Sequence, residues 1–137
     1  MKHKEMQCAR IGNYNIIKLL GSGQDPKYCK VKLGFEPLKS QYFAIKIIKH
    51  DHPHFNKDIF IEQMSKLIDL EHPNLVKIYE YFVTIDYVKK NGTKYPVAAI
   101  VMEYLSNGEL YTLVLNQELS EEMARTYFQI LRESNSI

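Results

Sequence analysis

Three features, taken in chain order, could together hold phosphate. Gly21-Ser22-Gly23 follows a short apolar, β-prone run, and a glycine pair can fold into a turn tight enough to aim backbone NH groups at an anion. Lys46 stands among apolar neighbours in the run Tyr42 to Ile48, where an ammonium can meet negative oxygens. An acid-bearing helical stretch follows. Each feature alone has a plainer reading, since the glycine pair could be an ordinary turn and a mid-strand lysine can snorkel at a sheet edge. Their order is what points to a phosphate site.

Other chemistry-bearing residues point elsewhere. His50, His52 and His54 alternate with Asp51 among them, but the spacing matches no standard metal site and Pro53 interrupts any strand, so a solvated loop and no metal ligand set are expected. Lys89, Lys90 and Lys94 read as a basic hairpin tip that protects a sheet edge rather than as a nucleic-acid contact. Tyr79, Tyr81, Phe82 and Tyr87 read as strand packing, because no RNA-binding signature accompanies them. Tyr127 and Phe128 read as helix packing in the same way.

The elements that must position these residues follow from periodicity. Tyr14 to Leu20 is a strand leading into the glycine turn, and Tyr28 to Leu33 is a second that Gly34 and Pro37 end. In the third, period 2 puts Tyr42, Ala44, Lys46 and Ile48 on one face and Phe43, Ile45 and Ile47 on the other. Phe60, Met64, Leu67 and Ile68 recur at helical spacing until Glu71-His72-Pro73-Asn74. Leu75 to Tyr87 and Tyr95 to Leu105 are two more strands, joined through Lys89-Lys90-Asn91-Gly92 and expected to pair antiparallel. A short helix from about Glu109 to Leu115 and another opening at Ser120-Glu121-Glu122 complete an α+β order built on an antiparallel sheet.

With 137 residues, 45% hydrophobic and 25% charged, the composition is globular and fits one compact domain. A net charge of +2 is too small to make nucleic acid or an anionic membrane the main partner. The longest apolar run, around Val97 to Met102, is far short of a bilayer span of roughly 20 residues. The N-terminus has basic residues with no apolar segment after them, unlike a secretory signal. A soluble, cytoplasmic chain is expected. Cys8 and Cys29 make neither a disulfide framework nor a CxxC clip, so both are read as thiols.

Six separated segments then stand in a known order: Leu20-Gly21-Ser22-Gly23, Val31 with Gly34, Phe43-Ala44-Ile45-Lys46, His72-Pro73-Asn74-Leu75-Val76, Met102-Glu103-Tyr104 and Gly108-Glu109-Leu110. In this the chain resembles the small lobe of a protein kinase, from about Tyr14 to Leu131, with a flavour of calmodulin-dependent or AMP-activated serine/threonine kinases. The resemblance implies an N-terminal extension over 1–13 and a small lobe with hinge over 14–105, with a five-stranded antiparallel sheet and an αC-type helix. It also implies the first helices of a truncated large lobe over 106–137.

Carried over by position, it implies that Gly21 and Gly23 shape a loop over the ATP phosphates. Val31 and Ala44 would roof the adenine, and Lys46 would hold the α and β phosphates. Met102 matches the gatekeeper, Glu103 and Leu105 the hinge backbone, and Glu109 the acid at the ribose. ATP and a protein substrate or partner are the implied ligands. Mg is expected for the family, yet the residues here supply no ligand for it.

Three departures accompany the resemblance. The family's G-x-G-x-x-G-x-V loop has about three extra residues here, with Asp25 near the phosphates and Cys29 in the place of the third glycine. Counted back from His72, the αC glutamate falls on Gln63. Helical geometry agrees, because Gln63 lies about 300° round from Phe60, on the side of Met64 and Leu67, whereas Glu62 at about 200° points away. A one-residue insertion would restore Glu62 instead. Finally, no H-R-D-x-x-x-x-N loop or D-F-G motif occurs up to Ile137.

These observations leave two functional readings. One is an ATP-dependent serine/threonine phosphotransferase domain, inactive as this chain alone. The other is a pseudokinase-like lobe acting through protein contacts.

Overall fold

The computed structural model describes residues 7–22, 26–69 and 77–104. Strands β1 (Ala9–Ile11), β2 (Tyr14–Ser22), β3 (Cys29–Glu36) and β4 (Gln41–Lys49) precede helix α1 (Lys57–Leu67), and β5 (Ile78–Val88) and β6 (Lys94–Glu103) follow it. All pairings are antiparallel in the order β1-β2-β3-β4-β6-β5, and the sheet curls until β1 meets β5 through Arg10–Val88 and Ile11–Tyr87. The five expected strands are present, and the short β1 adds a sixth within the segment read as an extension. The segments expected to form helices beyond residue 108, and the helix stop at Glu71-His72-Pro73-Asn74, lie outside the described residues.

Alternation along β4 sorts its side chains between two cores. Ala44 and Ile48 join Val31, Ile78, Ile100 and Met102 in a cluster that α1 covers with Phe60, Met64 and Leu67. Phe43, Ile45 and Ile47 join Ile11, Tyr14, Val97 and Val101 in a second cluster inside the curl. The period-2 split read from the sequence is therefore the split between cores. Helix α1 starts where Asn56 Oδ1 accepts a hydrogen bond from the Ile59 amide at 3.1 Å, an N-cap that meets one otherwise orphaned donor.

The Asn-Gly signal marks the β5–β6 turn as expected. Gly92 takes φ +88°, its amide bonds the Lys89 carbonyl at 2.9 Å, and the Lys89 amide bonds Thr93 at 2.8 Å.

Gly34 corrects the sequence reading, because it does not end β3. It sits inside the strand opposite Phe43 on one side and Ile16 on the other. A Cβ there would come within 2.5 Å of Ile45 Cδ1 and 3.2 Å of its Cγ1, so the bare backbone makes room for a fully buried side chain. Gly34→Ala is expected to cost roughly 1–3 kcal/mol by overpacking, read as a lower urea midpoint. An unchanged midpoint would mean that Ile45 repacks freely.

Candidate functional site

The site grows from one row of residues that crosses four strands. Gly21 pairs with Val31, Val31 with Lys46, and Lys46 with Ile100. The next row runs from Leu33 to Ala44 to Met102 to Ile78. Val31, Ala44 and Met102 are wholly buried in the cluster beneath α1, and Lys46, between Ala44 and Ile48 in strand period, shares their face. Its side chain is only 1% exposed.

An ammonium held there has lost most of its hydration. Burial pushes the Lys46 pKa down to about 8, with the nearby Cys29 thiol acting in the opposite direction. Cys29 lies opposite Ile48, diagonal to Lys46, and packs against the same cluster. The place expected for a third glycine is therefore a half-buried thiol in direct electrostatic reach of the lysine. Neither cysteine is in a disulfide.

Helix α1 resolves the choice between neighbouring residues. Glu62 is exposed, with 68% of its side chain open to solvent, and its Oε1 pairs with Lys66 Nζ at 3.4 Å. Gln63 is 5% exposed, and neither its Nε2 nor its Oε1 has a hydrogen-bond partner. The inward residue of the helix is thus the neutral amide, as helical spacing predicted.

Of the residues singled out from the sequence, Gly21, Val31, Ala44, Lys46 and Met102 share this face or its edge. Glu103 ends β6 half-buried, its amide donating to the Lys77 carbonyl at 2.9 Å. Gly23, Leu105 and Glu109 lie outside the described residues. Ile78 and Ile100, which complete the wall behind Lys46 and Met102, were not singled out. Ile100 could have been found by extending the period-2 reading along β6.

The histidines are engaged locally. His50 Nε2 lies 2.7 Å from the Val83 carbonyl and its ring stacks on Phe55, while His52 Nδ1 accepts from the His54 amide at 3.0 Å. Among the described residues no cluster of three metal-ligating side chains occurs, and no helix is long and apolar enough to cross a membrane. Tyr81 and Phe82 pack on opposite cores and Tyr87 is buried, whereas Tyr79 is partly exposed and meets Phe43 edge-on at 5.1 Å.

A comparison with known families decides what kind of lobe this is: the family model for the protein kinase domain matches residues 14–134. The chain belongs to the protein kinase domain family. This kinase chain is 31% identical over 130 residues to the probable serine/threonine-protein kinase MARK-C of Dictyostelium discoideum, covering 93% of the chain and 16% of that protein. It is 37% identical over 123 residues to CBL-interacting serine/threonine-protein kinase 16 of Arabidopsis thaliana, covering 86% of the chain and 23% of that protein. The crystal structure of Rad53 1-466 in complex with AMP-PNP matches it with TM-score 0.51 and 25% identity, over 74% of this chain and 23% of that one. The kinase chain therefore spans a quarter or less of each of these three proteins. The α+β small-lobe architecture is that of a protein kinase domain.

Proposed function

We propose that these residues form the nucleotide-holding half of a serine/threonine protein kinase domain. The single observation that carries the reading is the dehydrated ammonium of Lys46, set in one cross-strand row with Gly21 and Val31. A buried cation of lowered pKa gains most from an anion that shares its pocket. ATP fits that requirement, and the solved relative, Rad53 1-466, is in complex with AMP-PNP. Val31, Ala44 and Met102 offer an apolar wall to a flat base, Lys46 orients the phosphates, and Glu103 and Leu105 present hinge backbone. Gly21 and Gly23 frame the phosphate loop, and Glu109 is suited to the ribose hydroxyls. Bound ATP with Mg supplies the transferable phosphoryl group and its charge neutralisation.

A thermal-shift titration with ATP, with and without Mg, tests this. The wild-type chain should melt higher as ATP rises, and Lys46→Ala should weaken the effect at least tenfold. Equal shifts in both proteins would overturn the assignment.

A second reading, a non-catalytic lobe working through protein contacts, is favoured by Gln63. A buried neutral amide stands on α1 where the family places a glutamate, and an amide cannot form the lysine–glutamate ion pair of an active kinase. Whichever reading holds, the 137 residues taken by themselves contain no H-R-D or D-F-G motif. The chain by itself is accordingly expected to transfer no phosphate from radiolabelled ATP to a generic protein substrate. Incorporation abolished by Lys46→Ala would show the opposite.

A further inference from the structure

Lys46 faces one core, and the alternate residues of β3 and β4 face the other way. There, at the end of the curled sheet, six lysines line one open hollow of about 420 Å³: Lys27, Lys30, Lys32, Lys49, Lys89 and Lys90. Six positive charges meet in one place on a chain whose net charge is only +2. No aspartate or glutamate lines the hollow.

Four of these lysines, Lys27, Lys32, Lys49 and Lys89, lie over aromatic rings instead. Lys32 Nζ donates to the Tyr87 hydroxyl at 2.8 Å and lies 4.9 Å from the centre of that ring. Lys49 and Lys89 place their ammoniums 5.4 and 5.6 Å from the centre of Tyr95, which stacks on Tyr87 at 5.2 Å. Burial lowers the Lys32 pKa. The arrangement concentrates cationic donors that an anion would neutralise.

We infer that this hollow is a docking site for a phosphorylated serine or threonine side chain of a protein partner, separate from the nucleotide face. A phosphate monoester brings nearly two charges and three acceptor oxygens, enough to engage several lysines at once, whereas a carboxylate brings one charge. The volume exceeds what one phosphate group fills and leaves room for flanking peptide. The stacked tyrosines are covered by each other and by ammoniums, which leaves little ring face for a nucleobase.

The test uses the whole 137-residue chain and fluorescence anisotropy. The probes are a degenerate library of phosphoserine and phosphothreonine peptides and the same library unphosphorylated, with inositol hexakisphosphate and a single-stranded oligonucleotide alongside. The phosphorylated peptides should bind at least tenfold more tightly than their counterparts. The double variant Lys30→Ala/Lys49→Ala, which alters two side chains at the surface of the sheet, should lose at least tenfold, while Lys18→Ala should not. Lys46→Ala should retain the binding, which separates this site from failure or success of the nucleotide reading. Equal binding of both libraries, binding by the inositol phosphate or the oligonucleotide without the peptides, or loss on Lys46→Ala would each overturn the proposal.

Discussion

Replacing Lys46 with methionine should stabilise the fold by ~3 kcal/mol at pH 7 while removing nucleotide binding. The physical reason is the drop of its pKa from 10.5 to about 8 on folding, each tenfold in proton affinity being worth about 1.4 kcal/mol. Below about pH 8 the lysine is charged in both states, and the whole desolvation penalty is carried by the folded one. Between about 8 and 10.5 the unfolded chain binds more protons than the folded chain, so wild-type stability should rise with pH. Above that range both states are neutral and the penalty is gone. Methionine has similar length and no charge, so Lys46→Met should gain most below pH 8 and converge on wild type near pH 10.5. Urea midpoints measured from pH 7 to 10.5 would show the two curves closing. Parallel curves would mean that burial of the ammonium is not what limits stability here.

This trade of stability for a charged site was partly legible in the sequence. A lysine among Ala44, Ile45, Ile47 and Ile48 breaks the hydrophobic pattern of its own strand, and the period-2 rule alone fixes which core it must face. The inward place of Gln63 also follows from local geometry, because 100° per residue separates it from Glu62 whatever the rest of the chain does. What was misread depended on distant partners. Gly34 looks like a strand terminator until Ile45, on the neighbouring strand, is seen to need its missing Cβ. Ala9–Ile11 is too short for any periodicity, and only its pairing with β2 and β5 makes it a strand. The lysine hollow is the extreme case. Period 2 puts Lys30 and Lys32 on one face of their strand, Lys89 and Lys90 read as a hairpin tip, and only the curl of the sheet brings them together.

The second large effect is expected from Gln63 and Lys46 acting as a pair. Gln63 lies on the buried side of α1 with Phe60, Met64 and Leu67, the side that packs onto the cluster containing Ala44 and Ile48. Those two residues flank Lys46 on its own face. An amide buried with neither polar atom bonded costs roughly 1–3 kcal/mol, so Gln63→Leu alone should stabilise the chain. Gln63→Glu should act differently, because a carboxylate brought near the ammonium adds an opposite charge and raises the lysine pKa. The rise of stability between pH 8 and 10.5 should then disappear. In the Lys46→Met background the same glutamate has lost that ammonium, and a buried carboxylate without its counter-charge costs about 3–5 kcal/mol. A double-mutant cycle of Gln63→Glu with Lys46→Met, measured by chemical denaturation at pH 7, is therefore expected to show strong coupling. Additivity within roughly 0.5 kcal/mol, the behaviour of sites that share no contact, would place Gln63 out of reach of Lys46.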